Sequence, residues 1–153
     1  MVILQQDKTG KSMSKALNKL QDKRANEEFK KLFSLLLTDR GTEFAKPQLF
    51  EINIETGEIR SKIFYCDPQQ SSQKPHVENN HIFVREILPN GRDWCNLTQD
   101  KVDLMFSHIN SVPRESLGNK TPYEIFTFIY GKNLADKLNI QKIEKDEVTT
   151  TPR

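Results

Sequence analysis

Residues 33–44 read Phe33-Ser34-Leu35-Leu36-Leu37-Thr38-Asp39-Arg40-Gly41-Thr42-Glu43-Phe44. Positions 33–37 are almost wholly apolar, and the run stops abruptly at Thr38, Asp39, Arg40 and Gly41. A short apolar run bounded by turn residues is the pattern of a strand buried on both faces, as in the central sheet of an α/β protein. This reading sets Asp39 at the carboxyl end of the strand, where the chain leaves the sheet for a loop. An aspartate followed by Arg-Gly is also ordinary turn chemistry, because its side chain accepts from backbone nearby.

Upstream, Met13, Ala16, Leu17 and Leu20 recur at helical spacing, and Phe29 and Leu32 resume it after a charged break, predicting one or two short helices. Val2, Ile3 and Leu4 read as a strand stub ended by a polar turn. Downstream, Phe50, Ile52 and Ile54 alternate, Thr56-Gly57 follows, and Ile59, Ile63, Phe64 and Tyr65 come next, predicting a hairpin or a strand with an inserted turn. The polar stretch 67–74 predicts a flexible loop, Pro75 ends it, and a helix over 76–88 closes at Pro89-Asn90-Gly91. Val102, Met105, Phe106 and Ile109 mark the apolar face of a helix over 98–109. Thr121-Pro122-Tyr123-Glu124 joins a capping box to a proline at the first helical position and starts a helix through Ile125, Phe128 and Ile129. Strands interleaved with helices make the fold class α/β.

A chain of 153 residues fits one hydrophobic core, expected over 1–140, with a polar, flexible tail over 141–153. At 35% hydrophobic and 29% charged residues, with no apolar run near the length of a membrane span, a membrane role is disfavoured. The opening MVILQQDKTG reads as neither a secretory signal nor a transit peptide, so the expected location is cytoplasmic. Cys66 and Cys95 match no ligand or redox spacing, read as reduced structural thiols, and leave any metal to oxygen ligands. A net charge of +2 is too small to decide for or against nucleic acid.

On a wheel of about 100° per residue, Val77, Phe83, Val84, Ile87 and Leu88 gather on one side of the 76–88 helix, while Glu78, His81 and Arg85 share the adjoining flank. If the apolar side packs on the sheet holding residues 33–37, Glu78 approaches the sheet end that Asp39 leaves. Hard divalent cations such as Mg²⁺ and Mn²⁺ favour carboxylate oxygens and keep positions open for water and phosphate. Two such ions about 3.5–4 Å apart can activate an attacking water or hydroxyl and stabilise a leaving oxygen, so phosphoryl transfer is the natural chemistry. The plain alternative is a glutamate in the first helical turn compensating the helix dipole.

Several segments together resemble a known family. Residues 37–44 resemble the D-x-G-x-E-F second-aspartate motif of the retroviral-integrase superfamily in its bacterial insertion-sequence members. Phe64-Tyr65-Cys66-Asp67-Pro68, then Gln73-Lys74-Pro75-His76-Val77-Glu78-Asn79-Asn80-His81, then Arg85, resemble the segment of the catalytic glutamate with a basic residue seven positions on. Leu88-Pro89-Asn90-Gly91, Ile109-Asn110, Pro113-Arg114 and residues 117–126 resemble its P-K-G, I-N-x-x-P-R-K-x-L and K-T-P-x-E-x-F elements. The likeness is strongest to the IS-thirty-type transposases and covers roughly residues 2–129.

The resemblance implies an RNase H-like integrase-core fold, a mixed sheet with flanking helices, here lacking its first strands. It implies that Asp39 and Glu78 are catalytic carboxylates binding Mg²⁺ or Mn²⁺. Arg85, with Asn79, His81 and Lys74, would contact DNA, and for His81 a solvated helix residue is the alternative. The implied chemistry is hydrolysis at element ends, then attack of the freed 3′-hydroxyl on target DNA, in the cytoplasm at the nucleoid. Partners would be DNA, namely element ends and target, and a further copy or a full-length transposase.

The departures also carry information. Pro75 stands where many members have glycine, stiffening the entry to the helix. The family's first catalytic aspartate and any N-terminal helix-turn-helix region are not found, and Asp7, in a Lys-Thr-Gly turn, is a poor replacement. Fewer carboxylates weaken a hard-cation site, so the chain is expected to be a fragment inactive alone. The alternative is a non-catalytic DNA-binding or regulatory remnant of a transposase. A two-carboxylate glycosidase would need aromatics to stack sugars, and Trp94 is the sole tryptophan.

Overall fold

In a computed structural model of the chain, residues 1–5, 7–22, 26–53, 55–67, 84–85 and 97–149 are described. The chain divides into two units, Gln5–Lys74 and Met1–Leu4 with Pro75–Arg153.

In the first unit, helix α1 spans Gly10–Asp22 and α2 spans Asn26–Phe33. α1 begins where Asp7 Oδ1 accepts from the Thr9 N–H and hydroxyl (2.9 and 2.6 Å) and Thr9 Oγ1 accepts from Ser12 N (3.2 Å). That arrangement satisfies N–H groups at a helix start that have no partner within the helix. Strand β1, Leu35–Thr38, pairs in parallel with β2, Lys62–Tyr65, in the register Leu36↔Ile63. Between them lie a helical turn at Thr42–Phe44 and the short helix α3, Gln48–Glu51. The core of this unit includes Phe29, Phe50, Ile63 and Cys66, with aromatic contacts Phe29–Phe33 and Phe44–Phe50 at 5.0 and 5.4 Å.

Two sequence readings change here. Of the hairpin or strand with an inserted turn expected over 50–66, the structure keeps an antiparallel bridge, Ile52↔Ile59, around a turn at Gly57 (φ 70°), and a strand over Lys62–Tyr65. Phe50 is helical, and residues 62–65 pair in parallel with β1 instead. β1 is also not buried on both faces. Leu36 and Thr38 point to the covered side, whereas Leu35 (58% exposed), Leu37 (46%) and, on β2, Phe64 (50%) share the open one. Alternation puts these side chains on one face because successive residues of a strand point oppositely.

Arg60, only 2% exposed, holds this unit together just before β2. Its Nε donates to Phe50 O (2.9 Å), one terminal nitrogen donates to Asn18 Oδ1, and the other donates to Leu49 O (2.8 Å) and Ser14 Oγ (3.4 Å). The guanidinium therefore caps carbonyls of α3 and ties them to α1. Burial works against its charge and Asp22 offsets part of that. Arg60→Met leaves buried acceptors unpaired and is expected to destabilise the fold by about 2–4 kcal/mol in urea unfolding. Arg60→Lys, lacking the planar fork, should recover little of this.

In the second unit, α4 spans Gln99–Asn110, α5 spans Pro122–Tyr130 and α6 spans Lys132–Lys137. The capping box read from sequence is present: Thr121 Oγ1 accepts from Glu124 N (3.1 Å) and Glu124 Oε2 accepts from Thr121 N (2.9 Å). The core gathers Val102, Met105, Ile109, Tyr123, Leu134, Ala135, Leu138 and Ile140. Val2 and Leu4, read as part of a strand stub, lie in no strand. The Gln99 side-chain amide donates to Val2 O (2.9 Å) and accepts from Leu4 N (2.8 Å).

After α6 the chain runs back along a polar stripe of α4. Asp103 Oδ2 accepts from Asn139 Nδ2 (3.1 Å), Ser107 Oγ from Gln141 N (3.1 Å), Ser111 Oγ from Ile143 N (3.0 Å) and His108 Nδ1 from Thr149 N (3.2 Å). Spacing of four residues places Asp103, Ser107 and Ser111 on one helix face. Burial pushes the His108 pKa below its ordinary 6.5, while the Glu147 charge opposes the shift. With the folded value depressed, the unfolded chain takes up the proton first as pH falls. The contribution of His108 is therefore complete above about pH 6.5 and is lost as pH drops through the folded value. The Thr149 amide should exchange faster at about pH 5.5 than intrinsic rates predict, relative to about pH 7.5, and His108→Asn, a non-titrating acceptor, should remove that difference.

Candidate functional site

Asp39 follows the last residue of β1 and is exposed at the carboxyl end of the parallel pair. Ligand sites of parallel α/β sheets lie at this end, because the loops that leave it can converge. Asp39 Oδ1 accepts from the Gly41 N–H (3.1 Å), closing a local turn that fixes the side chain over its own loop. Its second oxygen is not used in that bond, and a carboxylate oxygen is the ligand type that hard cations favour.

The loop that carries Asp39 is held at several points. Tyr65 donates its hydroxyl to Phe44 O (2.6 Å), tying the loop to β2. The Glu43 side chain is 9% exposed, and Lys8 Nζ lies 3.7 Å from Glu43 Oε1. A Cβ on Gly10, the first residue of α1, would strike the carbonyl oxygen of Glu43, so the loop backbone rests directly on the helix start. Glu43 was legible as a letter of the D-x-G-x-E-F pattern, but nothing in its spacing marked it as buried.

Asp7 is committed elsewhere. The Thr9 hydroxyl and backbone N–H hold its carboxyl below the usual range, and it serves the start of α1. Arg85 is helical and exposed. Glu78, Asn79, His81 and Lys74 lie outside the described residues. Among the described residues, no group of three or more His, Cys, Asp or Glu side chains is placed to hold a metal ion, and no helix is long and apolar enough to cross a membrane.

Comparison with known proteins places these residues in context. No family model matches the chain, and no solved structure does. The chain is 29% identical over 109 residues, 71% of its length, to the transposase for insertion sequence element IS4351 of Bacteroides fragilis, of which it covers 32%. It is 36% identical over 90 residues, 59% of its length, to transposase InsI for insertion sequence element IS30A of Escherichia coli (strain K12), covering 22%. A putative integrase, ORF3 of Spiroplasma virus SpV1-R8A2 B, is 31% identical over 91 residues, 60% of the chain and 27% of the viral protein. The chain is thus a homologue of insertion-sequence transposases. Within them the likeness supports the IS30 type, as the motifs implied. It spans about a third or less of the length of these relatives.

Proposed function

We propose that this chain contributes to DNA transposition as part of an RNase H-like catalytic core, with Asp39 and Glu78 holding Mg²⁺ or Mn²⁺ for phosphodiester hydrolysis and strand transfer. The observation that carries this reading is the place of Asp39, at the carboxyl end of a parallel strand pair, in the D-x-G-x-E-F segment of a chain whose relatives are transposases. When bound, the cation would polarise the scissile phosphate and lower the pKa of an attacking water or hydroxyl. Asp39 would supply an anionic oxygen from a turn already fixed by Gly41, so little ordering remains to be done on binding. Arg85, with Lys74, Asn79 and His81, would contact DNA; a cation there neutralises phosphate charge and sets register rather than sequence preference. DNA ends and target are the proposed partners, together with a further copy or a full-length transposase, at the nucleoid.

A second reading is a non-catalytic DNA-binding or regulatory remnant. The engagement of Asp7 with Thr9 favours it, since that carboxylate is not free to complete a three-acid set.

The isolated chain, holding two of the three carboxylates the resemblance implies, is expected to bind duplex DNA in a salt-sensitive manner and not to nick it with Mn²⁺. Arg85→Gln should lower the slope of log affinity against log salt by about 1. Nicking of element-end DNA that is lost in Asp39→Ala would overturn the inactivity while upholding the acid. Salt-insensitive or absent DNA binding would count against both readings.

A further inference from the structure

Glu43 is the unusual group in the first unit: a carboxylate with 9% of its side chain exposed, whose ion-pair partner Lys8 is 83% exposed and stands off at 3.7 Å. A buried charge is costly unless the fold uses it, so its surroundings are informative. A Cβ on Gly41 would lie 2.6 and 2.9 Å from the two Glu43 carboxylate oxygens, so that carboxylate lies directly over the Gly41 Cα. Gly41 is the residue whose N–H holds Asp39 Oδ1. On the other side, the Glu43 carbonyl rests against Gly10 at the start of α1. One continuous line of contacts thus runs from α1 through Glu43 and Gly41 to the Asp39 carboxylate.

We infer that Glu43 is a positioning residue that sets the Asp39 carboxylate through Gly41. The inference rests on the reading of Asp39 as a metal ligand. Gly41 itself has φ −59° and ψ 150°, which any residue adopts, so glycine is required there by the carboxylate above it and not by backbone strain. With Glu43 in place, the turn cannot swing toward α1 and Asp39 is presented at one angle. Outer-shell groups that orient a ligand commonly change metal affinity by about 10–100-fold when removed. Lys8 neutralises part of the Glu43 charge at the rim, which leaves Asp39 as the carboxylate presented outward.

The conformational freedom of Gly41→Ala and its collision with Glu43 make a double-mutant cycle the direct test. Mn²⁺ affinity would be measured by calorimetry on the full chain and on Asp39→Asn, Glu43→Ala, Gly41→Ala and the Glu43→Ala/Gly41→Ala double variant. Exchange of the Gly41 amide would be followed without metal, and melting temperature would report folding. Asp39→Asn should abolish binding. Each other single variant should lose roughly 10-fold or more in affinity, and the double variant should bind no more weakly than Glu43→Ala alone. Glu43→Gln should keep the melting temperature near that of the parent yet expose the Gly41 amide to faster exchange. Wild-type Mn²⁺ affinity in folded Glu43→Ala, or strict additivity in the cycle, overturns the inference while the metal reading stands. If the parent binds no Mn²⁺ that Asp39→Asn removes, the metal reading fails. In that case, unchanged Gly41 exchange in Glu43→Ala overturns the positioning as well.

Discussion

The guanidinium of Arg60 sits where three elements of the first unit meet. It donates to the carbonyls of Leu49 and Phe50 in α3 and to side chains of α1, and it lies two residues before β2. A parallel strand pair cannot be closed by a tight turn, so the chain between Thr38 and Lys62 must leave the sheet and return in the same direction. Here that return is short and largely irregular, and its backbone carbonyls need donors. Arg60 supplies them with a fixed planar fork, and Glu51 Oε1 accepts from Ile63 N (3.1 Å) at the entry to β2. The pairing of β1 with β2 follows, and with it the point at which Asp39 leaves the sheet.

The parts of this arrangement that could be read from sequence are those written in neighbouring residues. The apolar run ending at Asp39, the helix through Met13 and Leu17, and the capping box at Thr121 and Glu124 are local patterns, and all three occur. The segment 50–66 was misread because alternation alone does not reveal a strand's partner. Ile52 and Ile59 do face each other across a turn, but Ile63 answers to Leu36, far away in sequence. The burial of β1 was overstated for a related reason. Leucine at 35, 36 and 37 looks the same in sequence, and only the folded chain shows that Leu36 is covered more than its neighbours. Arg60 belongs to no pattern, and Glu43, although a letter of the D-x-G-x-E-F segment, carries no sign of its burial, since a single buried charge has no periodicity. Glu78, Asn79, His81 and Lys74, the other half of the expected site, lie outside the described residues.

Kinship was legible chiefly through ordered motifs, and the homologues agree with it: insertion-sequence transposases match more than half of this chain. What the fold adds is a reason for the D-x-G-x-E-F wording. Asp39 needs the Gly41 N–H, Gly41 leaves room for Glu43, and Phe44 closes the loop by packing on Phe50 and accepting from Tyr65. Each letter of the motif thus does something mechanical within the loop. The chemistry proposed for Asp39 then depends on a second carboxylate reaching the same ion.

That convergence is most directly measured by paramagnetic broadening with Mn²⁺, whose effect falls steeply with distance. Titrated into isotope-labelled chain, Mn²⁺ should broaden the amide signals around Gly41 and those around Glu78 at the same concentrations, and Asp39→Asn should abolish both effects together. Broadening near Gly41 alone, with the Glu78 signals untouched at saturation, would contradict a shared metal site.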